Sequence, residues 1–351
     1  MPENNHFNHF KVHTQYSICE GALKIVDLAG HCASNNITSV GISDSFNMCG
    51  VLEFSQEVSK VGCQPIIGTQ INFSFSENNL EKMGKISLIA KNNAGYKNLL
   101  KLSSSSYLSI EKNEDPHCNI QELIDNSDGL IVLLGASRSL LSTLILENNI
   151  SDSEILLQKI QKSFKNNVYL EIQRHNESHE QALESQLLNF SEKLSIPIIA
   201  THEVFYLKKD MYEAHDAYIC VGQKTYVNDI KRLRYSEEHY FKSDSEMTEL
   251  FSDLPEALEN NKNLVFRCNY RPLTSKPMLP NFNTESSNVN DELKINANKG
   301  LEDRLKNFIL INIADEEQKL ATKQKYVERL NYEIEMISKM KFSGYFLIVS
   351  D

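Results

Sequence analysis

Over residues 1–268, short apolar runs alternate with longer stretches whose apolar residues return every three or four positions, the pattern of repeated β–α units. Seven strands are expected, over 10–13, 38–42, 65–73, 86–90, 130–134, 168–173 and 197–201. Between the first two, Ile25, Leu28, Ala29 and Cys32 share one helical face, and Val51, Phe54 and Val58 do so after the second. Further helices are expected near 93–106, 137–147, 151–165, 177–193 and 209–221. Seven parallel strands, each followed by a helix, fall one short of an eight-fold barrel. The α/β class therefore leaves two candidates, a barrel with a deficit or a large open sheet. Either places function at the C-terminal ends of the strands.

After Cys268 the pattern changes. The stretch NYRPLTSKPMLPNFNTESSNVND has three prolines and no helical period, so 271–290 reads as a linker between a first domain, 1–270, and a second, 291–351. Two helical runs follow, one through Leu293, Ala297, Leu301 and Leu305, the other through Leu330, Ile334 and Ile337. The apolar run Tyr345–Val349 stands directly before Asp351, and the second domain is expected to be cut there.

Composition narrows the class. With 351 residues, 41% apolar and 24% charged, the chain has the balance of a soluble globular protein. MPENNHFNHF has neither a basic start nor an apolar core, and no run approaches about 18 apolar residues, so a cytoplasmic protein without a membrane span is expected. Seven cysteines without a C-x-x-C pair read as reduced core thiols. A net charge of −11 argues against binding nucleic acid by bulk electrostatics, although a DNA enzyme with its basic groove elsewhere remains open.

The strand ends carry the candidate chemistry. HFKVHTQYSICEG delivers His13 to the start of a loop, and GISDSFN delivers Asp44. Gln70 lies in the third strand, His175 follows the sixth, and His202 and Glu203 follow the seventh. Two imidazoles and two carboxylates on one barrel face are the donor types of a divalent-metal site. The plainer alternative is that they cap helices or bind loops, Asp44 in particular. Lys11 opposes the metal, because an ammonium about 4 Å from a divalent cation costs about 8 kcal/mol at an effective dielectric near 20. An ion pair of Lys11 with Asp44 or Glu203 in place of a metal is one way to house it. Ser45 and Phe205 offer weak or no ligation beside two candidate ligands.

In order along the chain, HFKVHTQYSICEGALKI, VGISDSFNMCGVLEF, QPIIGTQINF, LIAKNNAGYKNLLKL, YLEIQRHN, IIATHEVFYLKKDMYEAHDAYICVGQ, KPMLPNF and YEIEMISKMKFSGYFLIVSD occur. Together they resemble the N-terminal part of bacterial replicative DNA polymerase III alpha subunits, from the PHP (polymerase and histidinol phosphatase) domain to the start of the palm. The resemblance spans nearly the whole chain. It implies a PHP-type distorted (βα)7 barrel followed by a mostly helical, partial palm segment. Where the site is intact, the family has H-x-H, D-H, a glutamate, a histidine after the sixth strand and D-x-H after the seventh. Here His13, Asp44 and His175 match in kind and Glu203 is a conservative replacement. Lys11, Ser45, Gln70 and Phe205 depart from the pattern, and Lys85 stands where many relatives have histidine.

The resemblance implies a catalytically degraded PHP domain without metal, serving as a docking module for a separate proofreading exonuclease subunit. In the holoenzyme it also implies a sliding clamp, a clamp loader, primer–template DNA and dNTPs as partners, and Mg2+ for the full-length polymerase. The family's GRGS-like loop and D-x-D motif follow the GYFLIV segment, so no polymerase catalytic residue is expected within these 351 residues. The alternatives are a standalone PHP-type metal-dependent phosphoesterase or nuclease using His13, Asp44, His175 and Glu203, and a pure interaction module.

Overall fold

The computed structural model describes residues 6–76, 79–110, 114–276, 282–283 and 288–351. The chain divides into two compact units, Met1–Thr274 and Ser275–Asp351. Much of the linker expected over 271–290, with most of KPMLPNF, lies outside the described residues.

In the first unit the elements follow as β1 (Lys11–Val12), α1 (Ile25–Ser34), β2 (Ser39–Ser45), α2 (Val51–Lys60), β3 (Gln64–Ser76) and β4 (Asn79–Ala90). Then come α3 (Asn93–Leu108), β5 (His117–Asn119), α4 (Ile120–Asp125), β6 (Leu130–Leu134), α5 (Leu140–Leu146) and α6 (Ile150–Phe164). The unit continues with β7 (Val168–Ile172), α7 (Glu180–Leu194), β8 (Ile198–Ala200), β9 (Glu203–Val204), α8 (Tyr212–Gln223), α9 (Asp244–Leu250) and α10 (Pro255–Leu264). Local chemistry starts several helices: Asn92 caps α3, capping boxes join Asn119 to Glu122 and Ser243 to Glu246, and Pro255 opens α10.

The sheet runs β8-β7-β6-β4-β3-β2-β1-β9, with β5 beside β3. Its two end strands are separated in the chain by only Thr201 and His202, so the sheet curls back towards itself as a barrel. The expectation of seven parallel strands, each followed by a helix, is corrected at β4. This strand is antiparallel to both β3 and β6, because only two residues separate β3 from β4, whereas a parallel return needs a crossover of a dozen or more. Two short strands were not foreseen. Of these, β9 matters most, since it pairs parallel to β1 with Lys11 opposite Glu203.

The period-two alternation of the strands separates two cores. Val168, Leu170 and Ile172 of β7 join the layer between sheet and helices, with Leu28, Phe54, Leu99, Leu156 and Leu187. Tyr169 joins Phe10, Ile66, Ile89, Ile131 and Ile199 inside the barrel, closed by Leu264, Val265 and Cys268. Phe10 enters that interior where β1 crosses β2 at Gly41; a Cβ there would lie 2.6 Å from the Phe10 carbonyl oxygen. The apolar side chains fill one end of the barrel interior and leave the other to polar ones.

The second unit comprises α11 (Val289–Arg304), α12 (Glu316–Lys339) and α13 (Ser343–Ser350). Of its described residues only Leu305, Ile334, Ser343 and Leu347 are buried.

Candidate functional site

The polar end of the barrel centres on Lys11. Its side chain is 1% exposed, and its ammonium lies 3.2 Å from Glu171 Oε2, 3.4 Å from Glu171 Oε1 and 3.9 Å from Glu203 Oε1. The anticipated ion pair of Lys11 with Asp44 or Glu203 is met at Glu203 and not at Asp44, and a closer partner joins it. The nearer partner is Glu171 on β7, Glu203 is the more distant one, and Asp44 is engaged elsewhere. Glu171 alternates with the outward Leu170 and Ile172 and so points inward beside Tyr169. The Thr201 hydroxyl donates to its Oε2 at 2.8 Å, completing a wholly buried pair.

Glu203 gathers the next group. His13 Nε2 lies 2.8 Å from Glu203 Oε1, and Gln70 Nε2 donates to the same oxygen at 2.6 Å. A carboxylate only accepts, so His13 carries a proton on Nε2 and turns it towards Glu203. Burial alone would raise the Glu203 pKa, but the Lys11 ammonium and the His13 hydrogen bond hold it well below the usual carboxylate range. Gln70 therefore acts as an amide donor to Glu203.

Asp44 does not join this group. Its Oδ1 accepts the Thr14 amide at 2.6 Å and the Ser17 hydroxyl at 2.6 Å, and its Oδ2 accepts the Thr14 hydroxyl at 2.8 Å. Burial raises its pKa against these bonds. It pins the loop after β1, and touches His13 only through Ser17, whose Oγ lies 3.2 Å from His13 Nδ1. Ser45 donates to Glu20 at 2.5 Å, and Lys85 reaches Glu20 at 2.8 Å and Ser45 at 2.9 Å. Burial pushes the Glu20 carboxyl up, but Lys85 turns the balance and lowers it. Because β4 runs antiparallel, Lys85, which precedes Ile89 in that strand, sits at the polar end while Ile89 reaches the apolar one.

His175 has both ring nitrogens engaged. The Glu203 backbone N–H donates to its Nε2 at 3.1 Å, so the proton sits on Nδ1 and faces Glu180 Oε1 at 3.2 Å. The same Glu180 carboxylate accepts the His175 backbone N–H through both oxygens at 2.8 Å. Burial holds His175 neutral, well below its ordinary pKa. Its ring stacks on His239 at 4.0 Å and on His202 at 4.5 Å, while Phe205 packs against His13 at 4.7 Å and His239 at 5.2 Å. His202 donates Nε2–H to the Tyr240 carbonyl at 3.0 Å and is also held neutral by burial.

The structure thus joins Lys11, His13, Gln70 and Glu203 directly and brings His175 in through the Glu203 backbone. It leaves Asp44, Ser45 and Phe205 in neighbouring roles. Among the described residues no group of three or more His, Cys, Asp or Glu side chains is arranged to hold a metal ion. Sequence reasoning missed Glu171, Glu20, Glu180 and His239. Glu171 had a signal: a lone charge inside the apolar strand VYLEI needs a buried partner. The other three lie in loops or at a helix start and gave none.

Residues 9–175 match the PHP domain, and residues 291–351 match the bacterial DNA polymerase III alpha NTPase domain. The chain is 38% identical over 346 residues to the DNA polymerase III subunit alpha of Rickettsia conorii, which covers 98% of this chain and 29% of that protein. The subunit from Caulobacter vibrioides is 33% identical over 354 residues, and that from Vibrio cholerae 32% over 346. The chain spans about 30% of the length of these relatives.

Proposed function

The chain belongs to the bacterial DNA polymerase III alpha-subunit family, whose N-terminal part it matches, and on that premise we propose that it is the front portion of a replicative polymerase. Its barrel then serves as a metal-free structural and docking module. The full-length subunit would carry out template-directed DNA synthesis in the cytoplasm, on primer–template DNA with dNTPs and Mg2+, with residues beyond those present here. In that holoenzyme a sliding clamp and a clamp loader are its further partners, and the barrel holds the proofreading exonuclease subunit. The domain reading follows: PHP domain over 1–270, linker over 271–290, start of the palm over 291–351.

One observation carries the metal-free reading. Each residue that matches a PHP ligand is engaged by the protein itself: His13 by Glu203, Asp44 by Thr14 and Ser17, His175 by Glu180 and the Glu203 amide. The Lys11 ammonium adds a positive charge beside Glu203, where a cation would have to compete with it. Metal analysis of the purified chain after dialysis with zinc or manganese tests this. Substoichiometric metal and no phosphatase activity are expected. Stoichiometric metal, with phosphatase activity lost in His13→Ala, would overturn it in favour of a phosphoesterase. The chain is also expected to give no primer extension, and to bind the exonuclease subunit.

A further inference from the structure

Between α8 and Tyr235 the chain forms a loop, 224–234, that is firmly built yet turns its apolar side chains outward. Asp229 accepts the Thr225 hydroxyl at 3.1 Å and the Lys231 amide at 3.0 Å, while the Leu233 amide donates to Gln223 at 3.2 Å. Arg232 closes the loop through two bonds to Asp216, at 2.6 and 2.5 Å. Despite these bonds, Tyr226 is 84% and Ile230 96% exposed. Val221, at the end of α8, is 71% exposed, and Ile18 79%. The loop of Ile18 abuts α8 closely: the Cys19 amide donates to the Tyr218 hydroxyl at 2.9 Å, and a Cβ on Gly222 would lie 2.4 Å from Cys19 Cβ. Ile18 and Val221 therefore stand on adjoining segments, and Tyr226 and Ile230 on the loop that continues from α8. An ordered loop that turns large apolar side chains outward beside such segments is the kind of surface that contacts a partner.

Charge says what the surface fits. In a chain of net charge −11, the loop carries Lys224, Lys231, Arg232 and Arg234 against one acid, Asp229. Among the described residues Arg232 and Arg234 both turn to Asp216, whereas Lys224 and Lys231 have no carboxylate within ion-pair distance. Two open cations beside exposed Tyr and Ile complement apolar side chains set among carboxylates. A nucleic-acid backbone is disfavoured, because it needs a wide field of cations and the net charge of this chain repels it.

We propose that Ile18, Val221, Tyr226 and Ile230, flanked by Lys224 and Lys231, form the docking face for a protein partner that presents apolar side chains within an acidic segment. The assignment rests on the docking reading above and names its surface. The test uses the full chain and the exonuclease subunit of the same organism as probe, by titration calorimetry at low and high salt. Two variants, Tyr226→Ser with Ile230→Ser, and Lys224→Glu with Lys231→Glu, alter only exposed side chains, and unchanged melting curves verify their folds. Each variant is expected to weaken binding by about tenfold or more, and salt to weaken the wild type. Wild-type affinity in both variants overturns this surface and leaves the docking reading standing. No wild-type binding at about 50 μM overturns the docking reading, and this surface with it. Self-association of the chain that disappears in the Tyr226/Ile230 variant assigns the patch to a second copy, and also overturns the proposal.

Discussion

The two ends of the barrel interior are buried by opposite means, the apolar one by packing and the polar one by pairing, with the Glu203 side chain left 15% exposed. At one end Phe10, Ile66, Ile89, Ile131, Tyr169 and Ile199 pack against Leu264 and Val265. At the other, Lys11, Glu171, Glu203, His13 and Gln70 satisfy one another through hydrogen bonds and ion pairs. The difference lies in how each end fails. A packed end loses stability in proportion to the volume removed. A charged end loses it whenever one member leaves another charge buried without a partner, and does so in a pH-dependent way.

The sharpest break of this comparison is Lys11→Met. It strands Glu171 with only Thr201, and is expected to cost about 3–5 kcal/mol in urea unfolding. Unchanged stability would mean that the pair contributes nothing to the fold.

Acid comes next. His175 and His202 are held neutral by burial, and burial lowers the pKa of His9 to about 4. Their folded pKa values lie below the unfolded value near 6.5, so their contribution is complete above that pH and is lost as pH falls below it. Between pH 7.5 and 5.5 these three groups should cost about 4 kcal/mol together. A flat stability profile over that window would contradict the neutral assignment.

At the packed end, Ile131→Ala should cost about 3 kcal/mol from the cavity it leaves, and by the same amount at both pH values. A strongly pH-dependent loss there would erase the distinction between the two ends. The smallest change is expected from replacing both charges at once. Lys11→Met with Glu171→Met should lie within about 1–2 kcal/mol of the wild type, since an apolar pair of similar volume removes the stranded charge. A double variant as unstable as Lys11→Met would show that removing Glu171 relieves nothing, so that the loss does not come from a stranded carboxylate.

Much of the fold was legible. The strand at 130–134 coincides with β6, and helices α1 and α2 bury the predicted Ile25, Leu28, Cys32, Phe54 and Val58. Periodicity reports burial, and these segments are buried on one face or both. What misled was direction, because an antiparallel and a parallel strand share the same period-two pattern; β4 therefore read as one more β–α unit. The site was half legible for a related reason. His13, Asp44, His175 and Glu203 could be picked out as strand-end residues, but their partners Ser17, Thr14 and Glu180 are common loop and helix-start residues.

By itself the sequence determined the α/β class, most element positions, the buried faces of α1 and α2 and the departure of Lys11, Gln70 and Phe205 from a ligand pattern. These depend on residue type and short-range spacing. Only the tertiary structure decided that Lys11 meets Glu171, that Lys85 sits at the polar end and that His175 is engaged by the Glu203 amide. Such pairings join residues 28–160 positions apart, and follow from strand order and register.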